Sequence, residues 1–361
     1  MNPHQRWCHN RRCRAYGRPG EGHVVIHSQK ERRYQCKRCG RTFTDTIDTA
    51  FYRMHKPRWL VVAVLTLLSY GCPLQAIVAA FDLDERTVAR WQRESGAQCR
   101  RVHEHLVGRE AGKVALLQVQ ADEIRVKAVG GIYWLASAME VRSRLWLGSL
   151  ISRHRDGQLI GGLLMRVRRC GPIEKILLVS DGLSSYKSQA LKLFRKPLHN
   201  GKVGRPRLVL AAGVMIARVI KRRRSRRVVE VARRVLVGRE AEVISRLIAT
   251  QRSIRALINT AYIERLQATF RARLAPLARW SRAGAHRRCT LEAGMWLVGS
   301  CYNLVWRHCS LGEERTPAMA AGITDHRWSV EELLAFAAPP SETPKWRGRK
   351  PRWLLEAERA A

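Results

Sequence analysis

The chain has 361 residues, 46% of them hydrophobic, enough for a sizeable core and, at ordinary domain sizes, about two or three domains. Its 67 lysines and arginines oppose 29 acids, a formal net charge of +38, and such self-repulsion is tolerated most easily beside a polyanion. The hydrophobic content excludes a disordered tail. An anionic membrane surface is disfavoured as partner, because the basic residues run through every segment instead of along one helical face. No charged leader with an apolar core and small-residue cleavage site opens the chain, which predicts a protein kept in the reducing cytoplasm. Ten cysteines in that compartment predict metal ligands or core residues rather than disulfides.

Four of the cysteines come first, in two pairs: Cys8 and Cys13 in "CHNRRC", Cys36 and Cys39 in "CKRC". Two short knuckles supply four thiolates to a tetrahedral Zn²⁺ with little loop strain. The alternating "HVVIHSQKERRYQC" between them and "RTF" after them predict a hairpin and a further strand, a zinc ribbon that needs its metal to fold. With four protein ligands the site is structural. The apolar run from Trp59 to Phe81 follows. It is cut by Gly71, Cys72 and Pro73 and holds Gln75, so it falls short of the ~20 residues a membrane crossing needs and predicts two buried helices. Asp82 and Leu83 form a turn, Asp84 caps a third helix, "ERTVARWQRESG", and the three helices match a helix-turn-helix. Val88 and Trp91 face the core on this reading, which leaves Arg86, Arg90 and Arg93 as DNA-contact candidates.

From Lys113 onward the pattern alternates. "VALLQVQADEIRVKAV", "GIYWLASAMEV" and "RLWLGSLIS" predict an antiparallel meander. A helix through Leu159, Ile160, Leu163, Leu164 and Val167 follows, capped by Asp156, and then the apolar strand "KILLVSDGLSSY". Strands, a helix and a buried strand in that order predict an α/β domain of the ribonuclease H type. In such a sheet Asp122, within the first strand, lies beside Asp181 at the end of the later one, and Glu264 on a later helix completes a carboxylate set suited to hard divalent cations. Glu123, Asp156, Glu174, Glu240 and Glu292 are the rivals. Alternation in an extended strand sends Glu123 to the face opposite Asp122, so only one of the two is expected to face a metal. Between Asp181 and Glu264 an insertion predicts two strands joined at the basic turn of Lys221, Arg222, Arg223, Arg224, Arg226 and Arg227, placed to grip phosphates.

The ribbon "CHNRRC…YQCKRCGRTF", the helices "YGCPLQAIVAAFDLDERTVARW", the strands "QADEI" and "VSDGLSSY", the helix "NTAYIERLQATFRARLAPLARWSR" and the stretch "TPAMAAGITDHRW" together resemble bacterial insertion-sequence transposases of the DDE class over nearly the whole chain. The resemblance implies that Asp122, Asp181 and Glu264 hold Mg²⁺ or Mn²⁺, and that the partner is double-stranded DNA, both element ends and target, bound by a homo-oligomer. Gln267 stands where the family pattern leads one to expect asparagine, and the change is expected to alter a DNA contact. The implied organisation is a zinc ribbon over 1–50, a helix-turn-helix domain over 51–110, a ribonuclease H-like catalytic domain with a basic insertion over 111–310, and a basic tail over 311–361. A DNA-binding regulator without catalysis, or a nuclease that cuts without joining, is the alternative.

Overall fold

The computed structural model describes residues 1–10, 13, 15–108, 114–199, 205–225, 227–251, 253, 256–278 and 284–340, with the backbone alone at Arg223. Three short strands open it: β1 (Val24–Ser28), β2 (Arg33–Cys36) and β3 (Thr42–Thr44), paired antiparallel in that order. The helices α1 (Arg58–Ser69), α2 (Leu74–Phe81) and α3 (Glu85–Leu106) follow, the first two entered through Pro57 and Pro73. Asp84 caps α3 by accepting the Thr87 N–H at 3.1 Å, and Val88 and Trp91 are buried, as their spacing predicts. Two expectations fail here. α2 buries only Ile77, because its one packed side meets α1 and α3 while Gln75, Ala76, Ala79 and Ala80 stay exposed. α3 does not stop near Gly96 but runs on to Leu106, since Gly96 serves a close crossing: a Cβ there would sit 2.5 Å from the Ala293 Cα.

The central sheet contains β4 (Gln118–Ala128), β5 (Gly131–Glu140), β6 (Trp146–Ser152), β7 (Leu177–Ser180), β10 (Met215–Arg224) and β11 (Arg227–Val237). Their order is β11-β10-β7-β4-β5-β6. The β4–β5–β6 meander and the β10–β11 hairpin are antiparallel, whereas β7 runs parallel to both β4 and β10. The basic hairpin read as an insertion is thus part of this sheet, held through β10 by four backbone pairs from Met215 opposite Leu177 to Arg218 opposite Ser180. A separate two-stranded ribbon, β8 (Arg195–Leu198) with β9 (Arg207–Leu210), lacks the apolar alternation that would have announced it.

Helices cover both faces. α4 (Gly157–Cys170) and α5 (Ser184–Leu193) pack on one; α6 (Glu240–Gln251), α7 (Ala261–Arg273) and α8 (Arg288–Leu304) pack on the other. Asp156 caps α4 through the N–H groups of Gln158 and Leu159 at 3.1 and 3.0 Å. α8 is buried along most of its length and is packed against α3 on its outer side, so α1 to α3 share one core with the sheet. The expected tail from 311 onward is not all tail. α9 (Pro317–Ala320) and α10 (Val330–Ala335) are docked, with Leu333 and Leu334 fully buried and the Leu334 carbonyl accepting the Ala50 N–H at 2.9 Å. The stretch "PKWRGRKPRW" lies outside the described residues. No helix among the described residues is long and apolar enough to cross a membrane.

The α3–α8 crossing yields a direct test. Gly96→Leu forces side-chain atoms into the Ala293 backbone and should lower conformational stability by about 1–3 kcal/mol, the usual cost of overpacking a core. An unchanged denaturation midpoint would show that the helices can separate freely.

Candidate metal centres

The four cysteine sulfurs of Cys8, Cys13, Cys36 and Cys39 lie within 4.8 Å of one another. Cys8 and Cys39 are 3.5 Å apart, Cys13 and Cys36 4.0 Å. Four sulfurs about 2.3 Å from a zinc at tetrahedral corners stand about 3.8 Å from each other, so the cluster fits that ion. The knuckles shape it locally. The N–H groups of Asn10 and Ala15 donate to the Cys8 and Cys13 sulfurs, and Gly40, at φ +71°, returns the chain after Cys39. Burial pushes the Cys8 and Cys36 thiols up. Burial raises Cys39 too, but the Arg41 backbone N–H and the Cys8 thiol outweigh it and bring Cys39 down to about 7.

The second centre forms where β4 and β7 run side by side. Their pairing puts Ala121 opposite Ser180, so Asp122 and Asp181 are the next residues on adjacent parallel strands. One carboxylate oxygen each from Asp122, Glu123 and Asp181 lies within 4.8 Å of the other two. The expectation that only one of the neighbours Asp122 and Glu123 can face a metal is therefore corrected. Alternation does separate them, Asp122 following Gln120 toward α7 and Glu123 reaching Arg155 before α4. β7, however, ends at Ser180, opposite Ala121, and past its last residue the carboxylates converge. Crowding has the expected electrical result: burial, together with the charges of Asp181, Glu123 and Glu264, pushes Asp122 up to about 7, although it accepts the Glu123 N–H at 2.8 Å.

Glu264 sits in the first turn of α7, outside the compact group but close enough for its charge to raise Asp122. Its carboxylate accepts the Thr260 hydroxyl at 2.7 Å and pairs with the Lys221 ammonium from β10. Among the rivals, Asp156 is a helix cap, Glu174 pairs with Lys196, Glu292 pairs with Arg288 at 2.8 Å, and Glu240 opens α6. Gln267 is 2% exposed and faces the core, so the expected DNA contact at that position is corrected: α7 turns it inward beside Leu266.

Three participants carried no signal in isolation. Arg155 donates to Glu123 at 2.7 and 2.9 Å and to Asp181 at 2.9 Å, with its guanidinium over the Trp134 ring. Tyr186 is fully buried. Its phenol is pushed up by burial and by the Glu123 carboxylate beside it. Three carboxylates that each bring one oxygen within 4.8 Å of the other two fit a hard divalent cation. The third is Gln120, two residues before Asp122, which reaches α7 and was legible only as half of an alternation with Gln118.

Cations surround the centre at larger distance. Lys221, Arg222, Arg224 and Arg227 are exposed on the β10–β11 hairpin, with Arg222 paired to Glu230 at 3.0 Å. The side chain of Arg223, and Arg226 altogether, lie outside the described residues. On α3, Arg86, Arg90 and Arg93 are all exposed. Compared with known proteins, the chain matches no family model and no curated protein.

The raised Asp122 pKa fixes a sign. The folded state holds its proton more tightly than the unfolded chain does, so this stabilisation is complete below the ordinary value of 3.8 and is lost as pH rises through about 7. Without divalent cations, wild-type stability should fall over that interval by up to about 1.4 kcal/mol per pH unit. Asp122→Asn should remove the slope and leave the variant more stable than wild type at about pH 8. Parallel pH profiles of the two proteins by chemical denaturation would refute the assignment.

Proposed function

We propose that the chain is a divalent-metal-dependent DNA transposase of the DDE class, with a ribonuclease H-like catalytic sheet, a zinc ribbon at Cys8, Cys13, Cys36 and Cys39, and a helix-turn-helix formed by α1 to α3. One observation carries the reading: Asp122 and Asp181 stand on adjacent parallel strands, and Glu264 stands on the helix docked beside them, in a chain of net charge +38. A nonenzymatic DNA-binding protein would account for the charge but has no use for a carboxyl such as Asp122, desolvated and set against the charges of Asp181, Glu123 and Glu264.

Divalent cations, when bound, activate a water or a DNA 3′-hydroxyl and stabilise the leaving oxygen. The chain supplies the rest. Asp122 releases its proton to become a ligand, and Asp181 and Glu264 complete the oxygen set. Glu123 competes with Glu264 as third ligand, on the strength of its place in the compact group. Lys221 and the arginines of β10 and β11 grip the phosphates flanking the scissile bond, while Arg86, Arg90 and Arg93 meet the DNA further away. Joining two ends takes two active sites, hence a homo-oligomer on DNA.

In Mg²⁺, the purified protein should cut DNA at the ends of its element and join the 3′ ends to target DNA. Asp122→Asn, Asp181→Asn and Glu264→Gln should each reduce both steps by about a thousandfold or more while DNA binding persists, with little further loss on combining them. If Glu123→Gln is inactive and Glu264→Gln active, the third ligand is Glu123. Cutting without joining would identify a nuclease, and binding with neither step a regulator.

The ribbon has its own test. Metal analysis should find one zinc per chain, absent from the Cys36→Ser, Cys39→Ser double variant, because two thiolates are too few to hold the ion in competition with a chelator. Retention of a full equivalent by that variant would rule the site out.

A further inference from the structure

The three acids come from distant parts of the chain. Asp122 and Asp181 are held by backbone pairing of their strands, but Glu264 belongs to a helix, and no sheet register fixes how far it stands from them. Its distance is set at the first turn of α7. There, beside the apolar packing of the two elements, the side chain of Gln120 bonds β4 to the start of α7. Gln120 is fully buried on β4; its amide donates to the Asn259 carbonyl at 2.7 Å and to the Asn259 side-chain oxygen at 3.3 Å, and its own oxygen accepts the Ile263 N–H at 3.0 Å. Donor and acceptor of one amide thus hold the residues on either side of the helix start, one of them next to Glu264.

Asn259 strengthens the same junction from the other side by accepting the Ala261 N–H at 3.0 Å. Thr260, between them, orients the Glu264 carboxylate. The first N–H groups of a helix have no partner within it, so an external acceptor there fixes where the helix begins. We propose that Gln120 is a positioning residue that fixes Glu264 relative to Asp122 through the start of α7, and so sets the spacing of the metal-binding carboxylates. The assignment rests on the reading of Glu264 as a metal ligand.

Gln118 supplies a matched control. It lies two residues earlier on the same face of β4 and is equally buried, but it binds Thr250 at the end of α6 and makes no bond to α7. Replacing either glutamine by methionine removes a buried amide of similar length. A role confined to stability predicts similar consequences for both.

The test measures Mn²⁺ binding to the full chain without DNA, by titration followed through the resonance signal of free Mn²⁺. Gln120→Met should weaken binding by about 10–100-fold, the usual effect of losing an outer partner of a metal ligand. Gln118→Met should bind within about twofold of wild type, outside that range. Glu264→Gln should weaken binding too, and adding Gln120→Met to it should cost nothing more, because the residue being positioned is already gone. Where Gln120→Met fails to fold, Gln120→Glu serves: it keeps the acceptor for Ile263 and loses the donor to Asn259, and it should bind more weakly than wild type. Weakening by Glu264→Gln alone, with the folded Gln120 variant unchanged, overturns the positioning role and leaves the ligand reading intact. Equal losses from Gln118→Met and Gln120→Met overturn it as well. No loss from Glu264→Gln overturns the ligand reading and this inference with it.

Discussion

Three backbone pairs, Val119 with Leu178, Gln120 with Val179 and Ala121 with Ser180, carry the rest of this structure. They lie in strands buried on both faces, where a slip of one residue would exchange the side chains packed under α4 and α5 with those packed under α7, so the register is fixed by the core. The next residue along the chain is in each case an aspartate, Asp122 within β4 and Asp181 just past the end of β7. Asp122 is therefore held in place by packing in which it takes no part, and its burial, together with the charges of Asp181, Glu123 and Glu264, raises its pKa. β4 cannot move away, and Asp181, one residue past β7, is held by Arg155 at 2.9 Å and by the Leu183 N–H at 3.0 Å.

The same register explains why an otherwise basic chain surrounds this point with cations in two tiers. Arg155, held over Trp134, bonds directly to Glu123 and Asp181. Lys221 meets Glu264 from β10, only three residues beyond Arg218, the partner of Ser180. Because β10 belongs to the sheet, its further arginines continue outward along a strand whose inner end is fixed against β7. A flexible insertion would leave their distance from the acids undefined. As a sheet strand, it aligns a row of positive charge with the acidic centre, the arrangement a phosphodiester backbone needs.

What was legible in the sequence was whatever short-range physics decides. Asp156 and Asp84 read as helix caps because a cap is a contact over three residues, and the meander from 118 to 152 read as strands because alternation is local. Contacts across the chain were less visible. Gly96 looked like a helix stop, although its small size answers to Ala293 nearly two hundred residues away. Glu123 looked turned away, because alternation describes a strand and says nothing about what happens beyond the end of its neighbour. Residues 317–335 looked like tail, since helices of four and six residues have too little periodicity to show the face that docks.

The long α3 has a consequence for function. Its first half carries the exposed arginines 86, 90 and 93, and its second half is packed on α8, where the Cys99 carbonyl accepts the Ser300 hydroxyl at 3.3 Å. α8 in turn meets the sheet through Trp296 against Trp146, their ring centres 5.1 Å apart, with the buried His103 of α3 placed 4.7 Å from the same Trp146. A continuous run of packed aromatic and small residues thus connects the arginine face to the sheet that holds the acids. On the proposed reading, DNA gripped by α3 has little freedom to swing toward the acids of the same chain. On that same reading, the freedom to bring a second DNA segment to those acids comes from the arrangement of one copy against another, so the proposed homo-oligomer would follow from the packing of α3 as well as from the proposed reaction.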